Sequence, residues 1–125
     1  MKKISLERAI QIALEYYQLK QYKQVTQILQ PLIQHGVQDD GIYLLVGNAY
    51  YCLGQYQLAI QAYLDGIYIN TDSADLYANL GNAYIRRGSY DSAIDSYNDA
   101  IAIEPDCPPP STQTIDLLHK SKRQK

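Results

Sequence analysis

Histidine, hydroxyl and carboxylate side chains are where this sequence would carry acid–base or nucleophilic chemistry. The two histidines, His35 and His119, are far apart in the chain, and neither lies in the hydroxyl, thiol and carboxylate context of a nucleophilic triad. The glycines occupy turn and packing positions and form no phosphate-binding loop. We therefore expect no catalytic residues and no cofactor, and the protein is predicted not to be an enzyme.

Three aspartates form a carboxylate stripe that would be the most plausible start of a metal site. Asp91, Asp95 and Asp99 recur every four residues, which places them on one face of a helix. A metal site needs ligands that converge from more than one element. We therefore predict no metal site and interpret the stripe as a solvated outer face, with docking of a basic partner as the alternative.

The two cysteines, Cys52 and Cys107, are single, with no CxxC motif and no histidine beside either. A disulfide framework needs more cysteines, so we expect reduced thiols and a cytoplasmic protein. The first residues are basic, as in an export signal, but Glu7, Arg8 and Glu15 interrupt the apolar stretch that such a signal requires. No run approaches 18 apolar residues, so membrane insertion is not expected.

The charge of the chain is divided unevenly. The formal net charge is -2, and residues 120–125, KSKRQK, contribute four positive charges. Residues 1–119 therefore hold seven cationic and thirteen acidic side chains, a net charge of -6. Nucleic-acid binding needs a clustered basic face, so an acidic body predicts no nucleic acid among the partners. The basic tail is interpreted as a solubilising terminus.

The sequence repeats with a period of 34 residues. GNAYYCLGQYQLAI at 47–60 returns as GNAYIRRGSYDSAI at 81–94, and the same register extends over units 6–39, 40–73 and 74–107. Small residues recur in some columns and large ones in others. The aligned sets include Ala13, Gly47 and Gly81; Tyr16, Tyr50 and Tyr84; Val25, Ala59 and Ala93; and Leu29, Tyr63 and Tyr97.

Each unit has the pattern of a helical hairpin. Apolar residues recur at helical spacing in two runs, and Gly54 and Gly88 fall between the runs, where the chain must reverse. Asp39 and Ser73 stand where a new helix needs a side-chain acceptor. The small columns allow close helix packing and the large columns fill the remaining space. The sequence therefore predicts an all-α protein.

These columns resemble the tetratricopeptide repeat (TPR), a 34-residue helix-turn-helix unit. The third unit carries the pattern in Tyr77, Leu80, Gly81, Tyr84, Gly88, Tyr90, Ala93, Tyr97, Ala100 and Pro105, and the second carries it in Tyr43, Val46, Gly47, Tyr50, Gly54, Tyr56, Ala59 and Tyr63. The first unit departs from it, with Lys20 at the turn and Pro31 in the second helix. The resemblance implies a right-handed superhelix of three helical hairpins within a single domain, residues 1–119.

The residues after the third unit are predicted to close the stack. Three prolines at 108–110 form a stiff link, since proline has no amide hydrogen and a fixed φ. Residues 111–119 then form a short amphipathic helix that caps the last hairpin through Ile115, Leu117 and Leu118. Residues 120–125 form the basic tail.

In such a stack the first helices of successive units line a concave groove, which is the predicted binding surface. Side-chain amides both donate and accept hydrogen bonds and so pair with the backbone of an extended peptide, while neighbouring apolar and tyrosine side chains form pockets for its residues. The alternative is that the amides only hydrate the surface. The predicted peptide-binding residues are Asn48, Asn79, Asn82, Tyr17, Leu44, Tyr51, Ile85 and Leu14.

Members of the family that hold the acidic tails of heat-shock chaperones use a clamp of Lys, Asn and Arg side chains. The corresponding positions here, Ile10, Leu14, Leu45, Asp75 and Asn79, include no cation. The resemblance therefore implies that this carboxylate clamp is absent.

Three functions fit the predicted surface. The leading hypothesis is an adaptor or scaffold that binds an extended segment of another protein. The segment LGQYQLAIQAYLDG at 53–66 also resembles the middle repeat of the bacterial type III secretion chaperones for translocator proteins, which implies a chaperone for one client. A third hypothesis is a structural protein that forms homo-oligomers through its exposed repeat ends.

Overall fold

A computed structural model of the chain describes residues 5–106, which form six α-helices and no strand. The helices are α1 (Leu6–Gln18), α2 (Tyr22–Gln34), α3 (Asp40–Cys52), α4 (Tyr56–Ile69), α5 (Ala74–Arg87) and α6 (Tyr90–Ile103). The predicted all-α class is confirmed, and two helices fall in each 34-residue unit. The predicted link 108–110, capping helix 111–119 and basic tail 120–125 lie outside the described residues.

The first helix of each unit begins at a side-chain N-cap. Ser5 Oγ accepts a hydrogen bond from the Arg8 amide at 3.1 Å, and Ser73 Oγ accepts one from the Leu76 amide at 3.3 Å. In the second unit Asp39 Oδ1 accepts from the Gly41 amide at 2.9 Å. These caps satisfy amides that have no partner within the helix, so each helix starts at a fixed residue.

The turns inside the three hairpins share one backbone geometry. One or two residues after the first helix ends, a residue adopts a left-handed conformation, with φ of 60° at Lys20, 77° at Gly54 and 87° at Gly88. The next amide donates back across the turn, as from Gln55 to the Tyr50 carbonyl at 2.9 Å. This is the Schellman arrangement, which favours glycine at its left-handed position. Lys20 adopts the same conformation without being a glycine.

The hairpins stack so that each helix packs against the next, and the first helix α3 also contacts the first helices on either side, α1 and α5. Leu76 and Leu80 of α5 are buried against Ile60 and Tyr63 of α4, which joins the second hairpin to the third. Leu29 of α2 belongs to a separate core cluster with residues of α1 and α3. The inner row of first helices therefore forms a continuous surface across all three units.

None of the helices between residues 5 and 106 has the length and apolar character that crossing a membrane requires.

Candidate functional site

The inner row of helices contains an open pocket of about 230 Å³. Residues from three successive first helices line it, together with one residue of a second helix. The lining residues, called the groove here, are Tyr17 of α1, Asn48, Tyr51 and Cys52 of α3, Tyr63 of α4, and Asn79 and Asn82 of α5. The groove therefore crosses all three repeats and contains only neutral polar and aromatic side chains.

Tyrosine hydroxyls from the second helices hold two of the groove asparagines. The Tyr63 hydroxyl donates a hydrogen bond to Asn48 Oδ1 at 2.5 Å. The same pair recurs one repeat later, where the Tyr97 hydroxyl donates to Asn82 Oδ1. Each asparagine therefore has its carbonyl oxygen directed at a tyrosine of its own hairpin, and its Nδ2 hydrogens are left as donors.

Burial extends the pH range over which these two tyrosines keep the neutral, hydrogen-donating form. Removal from water, together with the nearby Tyr51, raises the pKa of Tyr97 to about 12. Removal from water also raises the pKa of Tyr63 far above its ordinary value, with smaller effects of neighbouring groups. Because both hydroxyls stay protonated at neutral pH, each continues to donate, and the orientation of Asn48 and Asn82 is fixed.

In the second and third repeats a glycine, Gly47 or Gly81, directly precedes the asparagine that the tyrosine holds. The first repeat lacks this combination of glycine, asparagine and tyrosine. Its equivalent positions hold Ala13, Leu14 and Leu29. Leu29 is buried in the core, whereas Leu14 is 45% exposed. Leu14 therefore presents an apolar side chain at the position where the other two repeats present an amide.

Asn79 differs from the other two groove asparagines because its amide nitrogen, and not its oxygen, makes the hydrogen bond within the protein. One hydrogen of Nδ2 is donated to the carbonyl oxygen of Asp75, one turn earlier in α5, at 2.8 Å. Its Oδ1 remains an acceptor. The three amides offer both kinds of hydrogen-bonding group, as a peptide backbone requires.

Two tyrosine pairs stand at the turn end of the groove. Tyr17 packs edge-on against Tyr22, and Tyr51 packs in the same way against Tyr56, each with ring centroids 5.4 Å apart. The nearby thiol of Cys52, with a smaller effect of burial, raises the pKa of Tyr22. Because the edge-on geometry fixes the rings of Tyr17 and Tyr51, they form rigid aromatic walls.

A cation stands beside Tyr51. Arg86 in the last turn of α5 donates from Nε to the Tyr51 hydroxyl at 3.2 Å, linking the second and third repeats. This hydrogen bond, with a smaller contribution of the electrostatic interaction with Tyr51, raises the pKa of Arg86. The guanidinium is exposed and lies outside the set of lining residues.

The structure brings five of the eight predicted binding residues together in the groove: Tyr17, Asn48, Tyr51, Asn79 and Asn82. The other three lie outside the lining set. Leu44 packs beside the core cluster between α4 and α5, Ile85 is partly buried, and Leu14 is exposed.

Sequence reasoning missed three residues of this region. Tyr63 was interpreted as a packing residue only, although it follows Asn48 by the same interval as Tyr97 follows Asn82, a signal that could have identified it. Cys52 and Arg86 occupy one column of the repeat, directly after the column of Tyr51. Each directly follows a residue that the sequence predicts to bind a peptide, Tyr51 or Ile85, and this position is the signal that would have found them.

The carboxylate stripe predicted from the sequence lies on the second helix of the third hairpin. Asp91, Asp95 and Asp99 are all exposed on α6. Within residues 5–106, no three His, Cys, Asp or Glu side chains lie close enough together to hold a metal ion.

The helices define a class, an all-α helical-repeat protein with a groove on the inner row of helices. Residues 74–107 match the tetratricopeptide repeat model, and residues 47–86 match a second TPR repeat model. Residues 47–107 of the chain are therefore tetratricopeptide repeats, and the resemblance predicted from the sequence is confirmed.

Several solved structures share this fold. The Yersinia enterocolitica type III secretion chaperone SycD, in complex with a peptide of the translocator YopD, has a TM-score of 0.83 and 21% identity, covering 98% of this chain and 96% of that one. PcrH, in complex with the chaperone binding region of PopD, has a TM-score of 0.78 and 19% identity, covering 99% and 92%.

A further structure with this fold is MamA, with a TM-score of 0.83 and 26% identity over 94% of this chain and 68% of that one. Comparison with curated proteins gives no match.

Proposed function

We propose that the chain is a cytoplasmic protein-interaction module that holds an extended segment of a partner protein in the groove, as an adaptor or scaffold and not as an enzyme. The observation that carries the proposal is the groove itself, which crosses three repeats and combines amide groups with aromatic walls. An extended segment laid across α1, α3 and α5 would meet these groups in succession.

The orientation of the asparagines supports recognition of a backbone. Asn48 and Asn82 have their Oδ1 atoms engaged by tyrosine hydroxyls, so their Nδ2 hydrogens are the groups available for peptide carbonyl oxygens. Asn79 has the opposite arrangement and accepts from a peptide amide. Contacts to the backbone give affinity that depends little on the sequence of the ligand, and pockets beside them select side chains.

Proteins of the same fold hold peptides. SycD binds a peptide of YopD, and PcrH binds a region of PopD. The second TPR domain of human RPAP3, with a TM-score of 0.77 and 16% identity, is in complex with the HSP70 peptide SGPTIEEVD. These complexes support peptide binding as the kind of function that this fold serves.

The test should remove the amide donors while keeping the acceptors that the tyrosines need. Asn48→Asp with Asn82→Asp achieves this, because aspartate retains Oδ1 and has no Nδ2. A control with the same change in charge is Gln57→Glu with Asn98→Asp, at exposed positions outside the groove. Ligands come from a C-terminally amidated peptide array, and calorimetry measures their affinity for each variant.

We expect the groove variant to bind the selected peptides at least about tenfold more weakly, since each lost hydrogen bond contributes about 0.5–1.5 kcal/mol. The control should bind them like the wild type. Circular dichroism checks that both variants remain helical. Equal affinity of the wild type and the groove variant would move the binding site away from the groove and overturn the proposal.

A second candidate function is a chaperone for a single translocator-type client. The observation that favours it is the match in fold to SycD and PcrH over at least 98% of the chain. Such a chaperone should keep one aggregation-prone client soluble on coexpression, and its selected peptides should share one motif. An array that yields many unrelated peptides of similar weak affinity would argue for a general adaptor.

Self-association through the repeat ends stays a prediction. Ile101 and Ile103 on α6, the last described helix, are 44% and 36% exposed. Sedimentation at several concentrations tests it, and a monomer mass at every concentration would exclude it.

A further inference from the structure

Building on the proposed function, we propose that Arg86 recognises an acidic side chain of the segment held in the groove. The ligand is then a peptide with an aspartate or glutamate beside the stretch whose backbone meets Asn48 and Asn82. The carboxylate clamp of other family members corresponds here to positions that carry no cation, and Arg86 is not one of those positions. Recognition by Arg86 would therefore use a different part of the surface from the clamp.

The hydrogen bond with Tyr51 leaves the guanidinium ready for a carboxylate. Arginine has five N–H groups in a planar fork, and Arg86 spends the Nε group on the Tyr51 hydroxyl at 3.2 Å. The two terminal nitrogens remain, and they pair with the two oxygens of a carboxylate in parallel. Tyr51 is itself packed against Tyr56, so its ring has a fixed position. The hydrogen bond to Tyr51 therefore also fixes the position of the Arg86 guanidinium.

The charges around the groove favour an acidic group at this point. All seven residues that line the groove are neutral. Arg86 adds a positive charge at the edge of the groove, where it is hydrogen-bonded to the lining residue Tyr51. The hydrogen bond of Arg86 is made to the Tyr51 hydroxyl, a neutral group. A carboxylate of the ligand would therefore meet a positive charge at the edge of an otherwise neutral groove.

The position of Arg86 favours a side-chain carboxylate over a C-terminal one. Arg86 is exposed at the edge of the groove and does not line it, whereas the amides that meet a backbone lie inside. A carboxylate on a side chain reaches outward from a backbone held by those amides. A terminal carboxylate would have to leave the groove together with its own main chain.

The test compares two adjacent arginines with a defined set of peptides. Arg86→Gln removes the guanidinium beside the groove, and Arg87→Gln makes the same change in charge at the next residue, also exposed and in the last turn of α5. The probes are C-terminally amidated nonapeptide pools in which one central position is fixed as Glu, Gln, Asp or Asn and the other positions are random. Binding is measured by fluorescence anisotropy.

We expect the wild type to prefer the Glu and Asp pools over the Gln and Asn pools by about fivefold, the range of a solvent-exposed ion pair. Arg86→Gln should abolish the preference and Arg87→Gln should keep it. For Tyr51→Phe the readout is the ratio of the Glu-pool to the Gln-pool affinity, which should fall because the fork loses its hydrogen-bond partner. Added salt should weaken the preference.

The outcomes separate this proposal from the proposed function. If the wild type binds all pools equally, the acidic preference is overturned and peptide binding stands. If Arg87→Gln loses as much preference as Arg86→Gln, general charge attraction explains it, and the role of Arg86 is overturned. A matched set of pools with free C-termini is measured in parallel, and an acidic preference that appears only in that set overturns the side-chain assignment. If no pool binds at all, the proposed function fails as well.

Discussion

Gly47 lies so close to the ring of Tyr63 that a Cβ on the glycine would stand 2.5 Å from Tyr63 Cε1. The same relationship recurs between Gly81 and Tyr97, at 2.8 Å. In each hairpin the absent side chain therefore makes room for a tyrosine whose hydroxyl reaches the next residue along, Asn48 or Asn82. The glycine thus serves the groove as well as the packing.

Gly47→Ala should destabilise the protein. Alanine favours helix over glycine by about 1 kcal/mol, but its methyl group would overlap the Tyr63 ring, and overpacking costs about 1–3 kcal/mol. Tyr63 is 1% exposed and has little room to move. We expect a net loss in the free energy of unfolding, measured by urea denaturation.

The control for this prediction copies the first repeat, which holds Ala13 and Leu29 at the two positions. Gly47→Ala should lower the free energy of unfolding less when Tyr63→Leu is also present than when it is made alone. Leucine does not extend to the glycine position as the tyrosine ring does. Tyr63→Leu alone completes the double-mutant cycle. Strictly additive effects of the two substitutions would contradict the steric explanation.

Removing the acceptor of the Tyr63 hydroxyl should also lower stability. Asn48→Ala leaves that hydroxyl without its hydrogen-bond partner, and an unsatisfied buried donor costs about 1–3 kcal/mol. Since Tyr63 borders an open pocket where water can replace the asparagine, we expect about 1 kcal/mol. Asn48→Ala combined with Tyr63→Phe removes both partners. The interaction energy measured by thermal unfolding of the four proteins should then be favourable, and a value near zero would contradict a structural role of the hydrogen bond.

The repeat pattern predicted the helices well because each signal is local and occurs three times. The cap at Ser73 and the turn at Gly88 follow from the conformational preferences of single residues, and both lie where expected. The direction of the Asn48 amide could not be predicted in this way. It depends on a hydroxyl that reaches from another helix, and a sequence gives the spacing of two residues but not the atom that one directs at the other.

The residues that line the groove were predicted in part for a similar reason. Tyr17 reaches the groove from α1, whereas Leu14, one turn earlier and shorter, is not among its lining residues. Cys52 lies in the groove because one step along a helix turns the side chain by about 100°, which still leaves it near the edge of a wide concave face. A rule based on single columns of the repeat therefore identifies the middle of such a surface more reliably than its edges.

Lys20→Gly should stabilise the protein. Lys20 has φ of 60°, in the left-handed region that costs an L-residue roughly 1–2 kcal/mol, and the equivalent residues of the other two repeats are glycines. Allowing for the greater backbone freedom of glycine in the unfolded chain, we expect a gain of about 1 kcal/mol in urea unfolding. Lys20→Ala removes the long side chain but keeps Cβ, so it should give no such gain. Equal stabilisation by both substitutions would show that the lysine side chain, and not its backbone conformation, is responsible.

Alkaline pH should unfold the protein through its buried tyrosines. Removal from water raises the pKa of Tyr97 to about 12, whereas an unfolded tyrosine titrates near 10. Between these values the folded state holds more protons at Tyr97 than the unfolded state, so the contribution of Tyr97 to the free energy of unfolding should be constant below about pH 10 and fall as pH rises towards about 12. Urea unfolding at a series of pH values measures this slope. Tyr97→Phe also loses the hydrogen bond to Asn82 and should be less stable at every pH, but its stability should fall less steeply above about pH 10. A slope identical to that of the wild type would show that Tyr97 does not control the alkaline transition.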